Sequence, residues 1–225
     1  DTIADYLLPY LKDRPVHMNR YPDGIEGKAF YQRHATETTP PWVKRVRIHS
    51  DSKDEEQDYI LCEDRDTLLC LINLGSVDLH PWMSRHQDFE HPDYAVLDLD
   101  PKTAPFDHVC QIARVARELF FAIGLRPVLK TSGKSGLHIA LPLAKGYTYE
   151  HVRMFLEGAS RAIVREVPQI ATVERVVGQR EGKVYLDFLQ NGKGQTVVPP
   201  YVVRPVRGAT GSTPLRWEEH DDDDL

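Results

Sequence analysis

The sequence predicts an α+β fold in which helices flank a central, largely antiparallel sheet. Three observations lead there. Helical periodicity is confined to a few segments, short β-branched and aromatic runs fill the stretches between them, and the order of the two is mixed rather than a regular strand–helix alternation.

The clearest helix covers 106–123, where Val109, Ile112, Ala113, Ala116, Leu119, Phe120 and Ile123 form one apolar stripe and Gly124 is placed to end it in the left-handed conformation. A second covers 149–167, with Thr148 as its N-cap, Val152, Phe155, Leu156, Ala159, Ile163 and Val167 inward, and Pro168 closing it. A helix over 1–12 would bury Ile3, Tyr6, Leu7, Tyr10 and Leu11, and a shorter one over 66–74 would be capped by Gly75. Strands are predicted at 16–21, 43–49, 59–62, 94–99, 126–130, 137–141, 184–188 and 196–198. The polar stretch 51–58 reads as a hairpin loop in solvent.

With 225 residues the chain can bury a sizeable core, and no apolar run approaches the roughly 20 residues that a membrane-spanning helix needs. The first residues lack the basic region and small-residue cleavage motif of a secretory signal. Cys62, Cys70 and Cys110 show no paired short spacing, as expected of reduced thiols in a soluble, cytoplasmic protein. The net charge of −6 argues at first against a polyanionic partner. Six of the acids, however, lie in the terminal run Glu218, Glu219 and 221–224, so residues 1–217 balance 28 basic against 28 acidic side chains. The run itself reads as a solvated tail or linker over 218–225.

The chemistry concentrates in a few motifs. In Tyr94-Ala-Val-Leu-Asp-Leu-Asp-Pro an apolar strand ends in Asp98 and Asp100, which alternation sends to one face and which Pro101 leaves at the strand's lip. Two adjacent carboxylates repel, and a divalent cation removes the repulsion. Asp-x-Asp alone is shared with glycosyltransferases, phosphatases and surface turns. A third acid, Asp187 in Val184-Tyr-Leu-Asp-Phe-Leu, interrupts a second apolar strand and calls for a cation or, in the simpler reading, a salt-bridge partner. Lys130-Thr-Ser-Gly-Lys-Ser-Gly-Leu-His offers Ser132, Lys134, Ser135 and His138 to phosphate oxygens, or is a plain turn; it is not a Walker A loop, because a strand rather than a helix follows. Arg204, in Pro-Tyr-Val-Val-Arg, suits a triphosphate as a guanidinium fork, and Arg207 reads as surface charge. His80, in Val77-Asp-Leu-His-Pro, is either structural or a donor to a sugar hydroxyl.

Taken together, Asp98-Leu-Asp-Pro, Thr-Ser-Gly-Lys-Ser-Gly-Leu-His, Leu-Asp-Phe-Leu-Gln-Asn, Pro-Tyr-Val-Val-Arg and Thr-Pro-Leu-Arg-Trp-Glu-Glu resemble the polymerase domain of bacterial ligase D, of the archaeo-eukaryotic primase superfamily. The similarity runs from Leu8-Pro-Tyr-Leu to Trp217. It implies a primase-polymerase fold with an RRM-like core, spanning 1–217 with 1–75 as an N-terminal subregion. It also implies a DNA-dependent nucleotidyltransferase that adds NTPs or dNTPs to a primer 3′ end in gap filling and end processing during non-homologous end joining. By position the resemblance assigns two Mn2+ or Mg2+ ions to Asp98, Asp100 and Asp187. It assigns the nucleotide to His80, Ser132, Lys134, Ser135, His138, Gln195 and Arg204, and DNA to Asn19, Arg20, Phe30, Tyr31, Arg33 and Arg180. Residues 51–58 take the place of a hairpin that brings DNA ends together.

The partners that the resemblance implies are DNA with gaps or 3′ overhangs, with or without a 5′-phosphate, together with Ku and a ligase. Three departures stand out. Asn19 occupies a position where many relatives carry a lysine for the 5′-phosphate, the glycine loop reads Gly-Lys-Ser-Gly rather than Gly-Ser-Lys-Gly, and the chain starts just after a basic segment common in the family. The competing classes are a non-catalytic module of the same fold that bridges DNA ends, and a metal-dependent phosphohydrolase or nuclease.

Overall fold

A computed structural model describes residues 2–50 and 54–221. They form two compact units: residues 1–89 with 196–212, and residues 90–195 with 213–225.

The first unit runs α1 (Ala4–Leu11), β1 (Pro15–Arg20), β2 (Phe30–Gln32), β3 (Arg45–Ser50), β4 (Glu55–Leu61), α2 (Arg65–Asn73), β5 (Ser76–Pro81) and β6 (Ser84–Arg85); β7 (Asp88–Pro92) leads out of it. β1 organises its sheet. It pairs antiparallel with β5 over five positions, with β4 through Pro15 and Val16, and with β2 through Met18, Asn19 and Arg20. Alternation sends Val16 and Met18 of β1 to a core shared with Leu79, Leu68 and Leu71, while His17 and Asn19 take the other face.

Three expectations fail in this unit. α1 buries Ala4, Leu7 and Leu11, leaving Ile3, Tyr6 and Tyr10 exposed. The two tyrosines rest their rings against Tyr201, with ring centres 5.7 and 6.0 Å apart. Of the predicted loop, residues 51–53 lie outside the described residues, but Glu55 to Asp58 belong to β4. Their polarity suits a strand because cross-strand partners meet it: Arg47 pairs with Asp58 at 3.0 Å and His49 with Glu56 at 3.5 Å. The predicted strand at 196–198 reduces to one bridge between Thr196 and Trp82.

The second unit runs β8 (Tyr94–Asp100), α3 (Phe106–Ala122), β9 (Val128–Thr131), β10 (Leu137–Pro142), α4 (Tyr149–Glu166), β11 (Ala171–Thr172), β12 (Val184–Asp187), β13 (Pro214–Leu215) and α5 (Trp217–Asp221). The acidic run thus begins inside a short helix, and residues 222–225 lie outside the described ones. The sheet order is β11-β12-β8-β10-β9-β13, antiparallel except between β11 and β12. Its middle four strands and two helices make a β-α-β-β-α-β unit, the ferredoxin-like arrangement that RRM-type cores share.

One face of this sheet is covered by helices. Ala95, Leu97 and Leu99 of β8, Leu137, Ile139 and Leu141 of β10, and Val184 and Leu186 of β12 pack with Val109, Ile112, Ala116 and Phe120 of α3 and Val152, Leu156 and Ile163 of α4. Thr148 caps α4 as expected, accepting from His151 N while its own N–H is met by His151 Nδ1. Ile123 and Phe155, expected inward, are exposed at 56% and 41%. Ile123 caps α3 just outside its last turn, and Phe155 reaches only the edge of Phe120, with ring centres 6.2 Å apart.

Between β9 and β10 the chain folds back hard against β8. A Cβ at Gly136 would lie 2.1 Å from the Leu99 carbonyl oxygen, a backbone contact that cannot yield. Gly136→Ala therefore should lower stability by about 2 kcal/mol or more. Gly124→Ala, where φ is +82° and nothing lies within 4 Å, should cost only about 1 kcal/mol of left-handed strain. Urea unfolding midpoints compare the two, and an equal loss would refute the steric account.

Candidate active site

The register of the second unit's sheet builds the site. Because Ala95, Leu97 and Leu99 face the helices, Asp98 and Asp100 face the other way. β10 sets His138 opposite Asp98, β9 sets Lys130 opposite His138, and β12 sets Asp187 opposite Asp98. One rung across four strands therefore reads Lys130–His138–Asp98–Asp187, with Asp100 two residues along opposite Tyr185. Directly opposed Cα atoms lie about 5 Å apart, so Asp187 is the immediate neighbour of Asp98. Lys130, which the sequence shows only as the head of the glycine loop, is buried on this rung, and the pairing of β9 with β10 is what brings it there.

Each acid has protein partners. Asp100 Oδ2 accepts from Arg180 Nη1 at 2.8 Å, and Asp98 Oδ1 lies 3.4 Å from His138 Nε2. Asp187 Oδ1 accepts from Leu189 N at 2.9 Å and from the Tyr185 hydroxyl at 3.3 Å, while Gln190 Nε2 donates to Oδ2 at 3.3 Å. Burial, with the adjacent Asp187, pushes the Tyr185 hydroxyl up to about 12, so it stays a donor. Arg180, assigned to DNA, is buried here, with its guanidinium 4.3 Å from the Tyr185 ring centre and Nη2 donating to Arg175 O at 3.0 Å.

Three part-exposed carboxylates on one face of rigid strands are the hard oxygen donors that Mg2+ or Mn2+ prefers, so this donor set fits such a cation. Among the described residues the set of three ligand atoms within 4.8 Å of one another is a different one: Asp13, Glu63 and His86 of the first unit. Those charges are already matched, by Lys44 on Glu63 at 2.6 Å and Arg85 on Asp13 at 3.4 Å.

The glycine loop is ordered by Ser132, whose Oγ accepts from Lys134 N at 3.2 Å and Gly136 N at 3.1 Å, while Ser132 N donates to Gly136 O. Lys134 and Ser135 are exposed on it. Gln195 follows β12 in a turn where its N–H donates to Gly192 O.

The other assigned residues belong to the first unit. His80 stands opposite His17, and Asn19 stands opposite both Asp78 and Tyr31. Phe30 and Tyr31 are each 44% exposed, with Arg20 and Arg33 beside their rings at 4.9 and 5.9 Å. Asn19 donates to the Tyr21 hydroxyl at 2.8 Å, and Arg20 is committed to Leu74 O and Gln32 Oε1. Arg204 is buried in the 196–212 segment, where its N–H donates to Thr210 O.

His17, which the sequence did not flag, is buried under this group. Trp82 Nε1, a donor only, points at His17 Nε2 from 3.1 Å, so that nitrogen accepts. The proton of the neutral ring is then on Nδ1 and is donated to the Tyr31 hydroxyl at 3.1 Å, which passes its own hydrogen to Thr196 Oγ1 at 3.2 Å. Burial, helped by Arg33, His80 and His34, lowers the His17 pKa from 6.5 to about 3.

Comparison with known proteins identifies the family and the fold. A family model described as "LigD, primase-polymerase domain" matches residues 1–225. The multifunctional non-homologous end joining protein LigD of Pseudomonas aeruginosa is 32% identical over 219 residues, which is 97% of this chain and 26% of that protein. The bifunctional LigD of Bacillus subtilis is 33% identical over 220 residues, covering 96% of this chain and 35% of that protein. The chain thus spans about a quarter to a third of the length of these relatives. Among solved structures, the polymerase domain of Mycobacterium tuberculosis ligase D in complex with DNA superposes with a TM-score of 0.90 at 24% identity, over 99% of this chain and 80% of that one. That likeness is one of fold.

The depressed His17 gives a signed pH prediction. The unfolded chain binds a proton there below pH 6.5 and the folded one does not until about pH 3, so stability falls as pH drops through that window. The slope contribution is at most about 1.4 kcal/mol per pH unit. His17→Gln should flatten the dependence of unfolding free energy on pH between 6.5 and 4; an unchanged slope would show that His17 is not its source.

Proposed function

The chain belongs to the LigD primase-polymerase domain family, and on that footing we propose that it is a DNA-dependent nucleotidyltransferase. In this reading it extends a primer 3′ end with NTPs or dNTPs during gap filling and end processing in non-homologous end joining. The observation that carries it is the rung that gathers Asp98 and Asp187 beside Asp100 on the sheet face that the helices leave uncovered.

Asp98, Asp100 and Asp187 would hold the two Mn2+ or Mg2+ ions, which supply a more acidic 3′-hydroxyl and neutralisation of the triphosphate. The protein's own contribution is placement. Backbone register holds the three carboxylates together, and Leu189 N, Tyr185 and Gln190 fix the direction of Asp187. Ser132, Lys134, Ser135, His138 and Gln195, together with His80 and Arg204, are the proposed nucleotide contacts, where charge-assisted donors suit phosphate oxygens. Exposed Phe30 and Tyr31 give flat surfaces on which a base can stack, beside Arg20 and Arg33; with Asn19 and Arg180 these are the proposed DNA contacts. The end-joining names of the relatives and the DNA bound to the M. tuberculosis domain support DNA as the partner, and Ku and a ligase are proposed beside it.

Asp98→Ala should reduce manganese-dependent primer extension roughly a hundredfold or more while DNA affinity stays within about threefold. Full extension by this variant would sink the reading. Tight bridging of DNA ends by the unaltered chain without any extension would favour the non-catalytic module instead, and release of mononucleotides a nuclease.

A further inference from the structure

A buried carboxylate in the first unit has no part in the scheme above. Asp78 is 1% exposed and stands two residues before His80 in β5, so the two side chains leave the strand on the same side. Its Oδ2 lies 3.1 Å from His80 Nε2 and 3.5 Å from Arg204 Nη2. Its Oδ1 has no hydrogen-bond partner among the described residues. One oxygen therefore serves both of the first unit's proposed nucleotide contacts.

A charge taken out of water is costly, and a buried ion pair is no better for stability than a well-packed apolar residue. Asp78 therefore gains its role from what it orients. A carboxylate only accepts, so the hydrogen of the neutral His80 ring must be on Nε2, leaving Nδ1 as an acceptor. This reverses the donor role expected for His80 from the sequence: toward a ligand hydroxyl, the neutral ring accepts. The Tyr31 ring stands edge-on to His80 with centres 5.8 Å apart, and the Tyr31 hydroxyl is itself held by His17. His80 is thus fixed at one nitrogen by charge and along its flank by packing.

We propose that Asp78 is the positioning residue of this group, a single buried carboxylate that fixes the Nε2–H tautomer of His80 and aims the Arg204 guanidinium, so that the two act as one. The proposal rests on the reading of His80 and Arg204 as nucleotide contacts. Because it concerns binding held alike before and during reaction, its loss should appear mainly in KM.

The test uses the full chain labelled with 15N, in long-range proton–nitrogen correlation spectra, with His80 signals identified by their loss in His80→Gln. The unaltered protein should show the Nε2–H tautomer, and Asp78→Ala should shift the ring toward Nδ1–H. In primer extension with manganese and ATP, Asp78→Asn, which keeps the shape and removes the charge, should raise KM for ATP about tenfold, with a smaller fall in kcat. An Nδ1–H tautomer in the unaltered protein overturns the proposal and needs no variant to fold. A folded Asp78→Asn protein with KM within twofold of normal overturns it as well. If the unaltered chain extends no primer, the polymerase reading fails separately, and the tautomer still decides for or against Asp78.

Discussion

The alternation of side chains along β8 is the constraint on which the rest of the site depends. Ala95, Leu97 and Leu99 are wholly buried beneath α3 and α4, and that burial fixes where Asp98 and Asp100 must point. A slip of one residue would drive both carboxylates under the helices and turn two leucines out to water. Each buried leucine is worth about 1.5–3 kcal/mol, while two charges about 5 Å apart at an effective dielectric near 20 repel by roughly 3 kcal/mol. The apolar face is thus strong enough to hold the acids side by side against their repulsion. The same register, carried across β9, β10 and β12, delivers Lys130, His138 and Asp187 to the rung without any local motif specifying their meeting.

Local signals were enough to read much of this. The two long helices, their caps at Thr148 and Gly124, and the shared parity of Asp98 and Asp100 all follow from period and residue type. The meeting of Asp187 with Asp98 is a pairing across 89 positions and depends on sheet order, which no window of sequence contains. The sequence places His80 at a strand end but does not delimit β5, because the strand is covered on both sides: Ser76, Asp78, Leu79 and Pro81 are all buried, so no apolar alternation marks it. The second half of β4 is legible at 59–62, but its first four residues are polar and read as loop, and what makes them a strand is the opposite charge waiting on β3. Asp78 carries no local signal of its own, although it stands two residues from His80 on the same strand.

The two units hold their carboxylates in physically different ways, and the difference bears on what each can do. Asp78 is buried with the Arg204 guanidinium and the His80 ring on one oxygen, and any change of partner would leave a bare charge in the interior. Such a group preserves a shape. The acids of the rung are open to water, with the side chains of Asp98 and Asp100 exposed at 24% and 38%. Their bonds to His138 and Arg180 can be exchanged for water or another ligand at little cost to the carboxylates themselves, because both acids already reach solvent.

The contact between Asp100 and Arg180 is therefore lopsided. Arg180 is buried and relies on Asp100 Oδ2, Arg175 O and the face of Tyr185, whereas Asp100 has solvent as an alternative. If the pair is broken, the burden falls on the loop that carries Arg180, which must find another acceptor for the guanidinium or bring it to the surface. The cost of losing that pair thus rests on the polar segment before β12, whereas the positions of Asp98, Asp100 and Asp187 are set by the buried apolar face of their strands.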